Sequence, residues 1–105
     1  MKTIGIFERA GAFAENKDIA RDIRVNKILA AFQKNEDVVL DFAGVEAVTQ
    51  SFIHALISDI LRRYGSDALD RVVFKSCNDT VKKIIAIVVE YMQEGMGIET
   101  PDDDD

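Results

Sequence analysis

Cysteine, proline and histidine occur once each in this 105-residue sequence, and tryptophan is missing. Each scarcity excludes something. Cys77 alone closes no intramolecular disulfide and forms no C-x-x-C pair. With His54 as the lone imidazole, no Cys/His spacing for a metal is present, and no metal or cofactor is expected. Aromatics at 8% give no sign of a base-stacking surface. No apolar run approaches the ~18 residues of a membrane span, so no membrane role is expected. The start, MKTIGIFERAGAF, has only a five-residue apolar stretch before Glu8 and Arg9 and does not read as a signal peptide. A cytoplasmic, bacterial-type domain is the expectation. Dinucleotide, P-loop and Ser/His/Asp signatures are missing as well.

What is present describes one ordinary globular domain. The chain is 48% apolar and 30% charged, and a chain this long buries roughly 65% of its unfolded surface without staples. Residues 1–98 are read as the domain and 99–105 as an acidic, disordered tail in which four aspartates follow Pro101. The net charge of −6 argues against nucleic acid as the main partner. Its distribution is uneven: Met1 to Lys34 carries seven bases and four acids, whereas Asn35 to Pro101 carries six and eleven. A surface polarised in this way suits another protein.

The apolar period alternates along the chain. Thr3 to Phe7 (TIGIF), Asp37 to Phe42 (DVVLDF) and Arg71 to Lys75 (RVVFK) read as strands, the last two buried on both faces. Helical spacing runs from about Asn16 to Lys34, through Ile19, Ile23, Val25, Ile28, Leu29 and Phe32. It returns at Ser51 to Tyr64, through Ile53, Leu56, Ile57 and Ile60, with Gly65 as the stop. A third helix, Asp79 to Gln93, presents Val81, Ile84, Ile85, Val88 and Met92, with Gly95 as its terminator. The β-α-β-α-β-α order predicts an α/β fold, a small mixed sheet packed by three helices. Three strands are clear, and a fourth has two candidate places, Ala10 to Phe13 or Gly97 to Glu99.

Functional residues in such folds gather where strands end and helices begin. One junction runs from Asp41 through Gly44, Thr49 and Gln50 to Ser51; the other is Ser76 to Asp79. Ser51 has two readings: an N-cap or first-turn hydroxyl satisfying a backbone N–H, or an exposed hydroxyl for a partner kinase, whose phosphate would repel a docked protein. Asp41 either binds a cation or accepts from loop N–H groups around Gly44. Cys77, at a helix start, is expected to have a depressed thiol pKa. It lacks a second cysteine, and the sole histidine, His54, sits on another helix, so catalysis by it is not expected. His54 falls on the polar side of its helix. Ile87 projects off the apolar stripe, toward a partner or a second copy in a homodimer.

The stretch VVLDFAGVEAVTQSFIHAL (Val38 to Leu56) resembles the STAS domain of bacterial anti-sigma-factor antagonists. It is closer still to a STAS-like bacterial family marked by an LDF-x-GV…T-x-SF segment, here Leu40 to Val45 and Thr49 to Phe52. VVFKSCNDTVKKIIAIVVEYM resembles the strand, Asn, helix unit that follows, and together the likeness covers about residues 16 to 98. In the antagonists a serine at the start of this helix is phosphorylated by an anti-sigma factor that is itself a kinase, and Ser51 matches it. The antagonists read Asp-Ser-Ser-Gly where this chain reads Thr49-Gln50-Ser51-Phe52, so Phe52 is expected to crowd a site that a small residue leaves open.

The resemblance implies a non-catalytic, regulatory interaction module whose partner is a histidine-kinase-like ATPase or anti-sigma factor. Asp41, Gly44, Thr49, Gln50, Ser51, His54 and Asn78 are its candidate contact residues. A second reading keeps Asp41, Ser51 and Asn78 as ligands of a small anion or nucleotide at the helix N-termini.

Overall fold

The structure is a computed structural model describing residues 1–65 and 67–97, with side chains in the last helix described as far as Met92. The elements run β1 (Lys2–Gly5), α1 (Ile6–Ala10), β2 (Phe13–Ala14), α2 (Lys17–Ile23), a π-helical turn (Arg24–Ile28), α3 (Leu29–Gln33) and β3 (Val38–Asp41). They continue with β4 (Ala47–Val48), α4 (Gln50–Tyr64), α5 (Asp67–Asp70), β5 (Val72–Lys75) and α6 (Asp79–Gly97).

The three expected strands form one sheet in the order β1-β3-β5. Every described pairing is parallel, so the sheet is not mixed. The register aligns Ile4, Leu40 and Phe74 across it. Ile4, Val38, Leu40 and Val72 are buried in one core with the helices, and α4 lies between α2 and α6. On the opposite face, Thr3 and Val73 flank Val39 and are exposed.

The fourth strand is Phe13–Ala14, and it pairs with the two-residue β4 inside the segment read as a loop. Two-residue strands carry too few positions for any period to register. Ala12 O accepts from Glu46 N (2.7 Å) and Ala14 O from Thr49 N (3.1 Å), tying this ribbon to the approach to α4. The rival place loses Gly97 to α6; the rest of it, and the tail from residue 99, lie outside the described residues.

Four further expectations are corrected. Strand β1 ends at Gly5, opposite Asp41, and Phe7 sits half-exposed in α1. Val25 is exposed rather than part of the apolar stripe. The π turn explains it: Ile23 and Ile28 are both fully buried though five residues apart, a spacing that an uninterrupted α-helix would send to opposite faces. Strand β5 is an edge strand in which only Val72 is buried. Helix α6 runs through Gly95 to Gly97, because a glycine inside a helix costs only about 1 kcal/mol against alanine and terminates nothing unless a positive φ is needed. At Gly65 it is needed: φ is 71° and its N–H donates to Leu61 O at 2.8 Å, closing α4.

Candidate functional site

The start of α4 is set by Thr49, not Ser51. Thr49 has an extended backbone (φ −96°, ψ 158°), and its Oγ1 accepts from Phe52 N at 3.1 Å. Thr49 thus takes the capping role that one of the two readings gave to Ser51. Ser51, second residue of α4, is exposed, as is Gln50. Phe52 is fully buried. It turns into the core, so the expected crowding of Ser51 by an aromatic ring does not occur. Thr49→Ala is expected to cost about 1 kcal/mol in a denaturant melt, and Ser51→Ala less than about 0.5 kcal/mol. The reverse order would return the cap to Ser51.

Ser51 stands on the rim of a groove of about 400 Å³. Helix α4 contributes Gln50, Ser51, His54 and Ala55, the first residue of α2 contributes Lys17, and α6 supplies Ile87, Val88 and Tyr91. Ile87 is 42% exposed and Tyr91 68%. An apolar wall thus faces a polar lip carrying one hydroxyl, one amide, one imidazole and one ammonium. Such a surface can seat an apolar side chain of a partner while hydrogen-bonding its backbone. Ile87 and Tyr91 are four residues apart, one turn of the same face. Tyr91 went unmarked in the sequence, although that spacing from Ile87 could have pointed to it; nothing in the sequence marked Lys17.

His54 is half-buried rather than solvated. Burial pushes its pKa below the ordinary 6.5, Arg62 lowers it further, and Asp59 pulls the other way. The folded chain therefore resists a proton that the unfolded chain accepts. This contribution to stability is present above about 6.5 and is lost as pH falls through the folded value. A proton NMR titration should give an imidazole midpoint below 6.5, moving up in Arg62→Gln. A midpoint at or above that value would contradict the burial.

The other candidates lie elsewhere. Asp41 Oδ1 accepts from Ala43 N at 2.9 Å, an Asx turn that holds the loop. Gly44 has φ +89°, and a Cβ there would meet the Phe7 ring at 3.1 Å, so both conformation and contact demand glycine. Asn78 caps α6, its Oδ1 accepting from Val81 N at 2.8 Å, and its Nδ2 donates to Glu46 O at 2.9 Å. Neither Asp41 nor Asn78 lines the groove that holds Ser51. Cys77 also departs from expectation. Burial raises its thiol pKa and Asp41 adds to the rise, outweighing Lys82, so the helix start does not activate it. Among the described residues no group of three or more His, Cys, Asp or Glu could hold a metal, and no helix is long and apolar enough to cross a membrane.

A family model described as "STAS-like domain of unknown function (DUF4325)" matches residues 20–82. The chain belongs to this STAS-like family. No curated protein and no solved structure was found to match it. The matched span opens within α2 and closes in the first turn of α6, so the STAS-like part holds β3, β5 and the whole of α4 with Ser51. Lys17, Ile87 and Tyr91 fall outside it.

Proposed function

We propose that this chain is a non-catalytic STAS-like regulatory module that docks a protein partner over the Ser51 groove and is released when Ser51 is phosphorylated. The observation that carries the reading is the Ser51 hydroxyl, exposed on the rim of a largely apolar groove and freed from capping by Thr49. The partner is a histidine-kinase-like ATPase or anti-sigma factor, as the likeness to the antagonists implies. The Ser51 Oγ attacks the γ-phosphorus of ATP bound to that kinase, ADP leaves, and a base on the kinase takes the hydroxyl proton. The dianion then lies within the first turn of a fifteen-residue helix, where the backbone dipole favours it. The partner, seated on apolar surface beside it, must desolvate that charge or leave. The non-catalytic part is supported by the separation of reactive groups: the raised thiol of Cys77 is not among the residues lining the groove with His54.

The test is incubation with the kinase-type partner and ATP, followed by intact-mass measurement. The expected result is one phosphate per chain, none on Ser51→Ala, and a fragment assignment to Ser51. No phosphate on the wild-type chain would sink the switch.

A further inference from the structure

A separate groove lies between the edge of β5 and helix α6, away from Ser51. It has a volume of about 350 Å³ and is lined by Val72 and Phe74 of β5, by Leu69 and Cys77, and by Lys82, Ile85, Ala86 and Val89 of α6. Among the described residues, strand β5 pairs only with β3. Val38 N donates to Arg71 O (2.8 Å) and Phe42 N to Lys75 O (2.9 Å), which sets the phase of that ladder. In a strand the N–H and C=O of one residue point to the same side, and alternate residues point to opposite sides. Arg71, Val73 and Lys75 therefore face β3, whereas Val72 and Phe74 direct two N–H and two C=O groups outward, along the groove.

Two donor–acceptor pairs about 6.6 Å apart repeat with the period of another extended chain. A compact ligand does not match that spacing. The groove walls are apolar except for Lys82, which makes none of the ion pairs found among the described residues. Lys75 stands exposed at the end of β5. The geometry points to a strand-addition site: an extended segment of a protein partner pairs with the β5 edge, sets alternate apolar side chains between β5 and α6, and turns a carboxylate toward Lys82. Backbone hydrogen bonds then supply affinity, and the groove and Lys82 supply selectivity. The site does not rest on the Ser51 reading and stands or falls separately.

The probe is a capped synthetic peptide of alternating valine and threonine with one aspartate, titrated into the full chain and followed by amide NMR. Saturable shifts are expected at Val72 and Phe74, with those of Ile87 and Tyr91 unchanged. N-methylation of the alternate peptide residues that face β5 should weaken binding about tenfold, and Lys82→Glu should weaken the acidic peptide but not a version with asparagine. Equal binding of the methylated peptide, or no binding, would overturn the site. So would protection of the Val72 and Phe74 amides in the free chain, lost on dilution (a second copy pairs there) or on deletion of residues 98–105 (the chain's own end occupies the edge).

Discussion

Changing Ser51 to aspartate is expected to weaken partner binding by about tenfold or more, equivalent to at least 1.4 kcal/mol, while Ser51→Ala leaves it near the wild-type value. The reasoning starts from where the charge lands. Ser51 sits beside Ile87 and Tyr91 on a groove whose walls are mainly apolar. A partner filling that groove strips water from the carboxylate and from Lys17, the one cation among the lining residues, and a polar group that loses water without full pairing costs about 1–3 kcal/mol, more when charged. The free protein behaves oppositely. A carboxylate in the first turn of α4 gains about 0.3–1 kcal/mol from the helix dipole. Binding should therefore fall while thermal stability holds or rises slightly. Loss of binding accompanied by loss of stability would mean that the variant had damaged the fold instead.

The second large effect is structural. Phe52→Ala should destabilise the protein by about 3–5 kcal/mol, a large share of the 5–15 kcal/mol typical of a whole domain. Its side chain is fully buried at the third position of α4, and its backbone N–H is the donor that Thr49 caps. One residue thus anchors the first turn by packing and by hydrogen bond together. Gln50→Ala, two positions earlier and exposed, should stay within about 0.5 kcal/mol of wild type. Equilibrium urea unfolding of the pair measures the contrast. Similar midpoints for the two variants would mean that the Phe52 ring does not hold the turn that presents Ser51.

Long periodic segments were readable in advance. Ile53, Leu56, Ile57 and Ile60 recur at helical spacing, and all four are buried in α4. Val38, Val39 and Leu40 run without polar interruption, and they form the central strand. What escaped was whatever depends on a break in period or on distant chain. The π turn shifts the buried face by a residue, so Val25 fits the stripe on paper and faces water in the fold. Strands β2 and β4 have two residues each, held by partners more than thirty positions away. Helix α5 has four residues and no period to detect.

The site divides in the same way. Asp41, Gly44, Thr49 and Asn78 stood out for their residue types at strand–helix junctions, and all four serve the backbone there through an Asx turn, a positive φ and two caps. Ser51, Gln50 and His54 share a helix face and meet in the groove. The groove itself needed Lys17 and Tyr91, residues 74 positions apart that only the packing of α2 and α6 about α4 brings to one surface.

The measurement that bears most directly on the regulatory reading is the hydrogen-exchange footprint of the kinase-type partner on this chain, taken before and after phosphate transfer. The expected result is protection across Gln50 to Ala55 and Ile87 to Tyr91 that disappears when Ser51 carries phosphate, with β5 unchanged. A footprint elsewhere, or one that survives phosphorylation of Ser51 intact, would contradict the account.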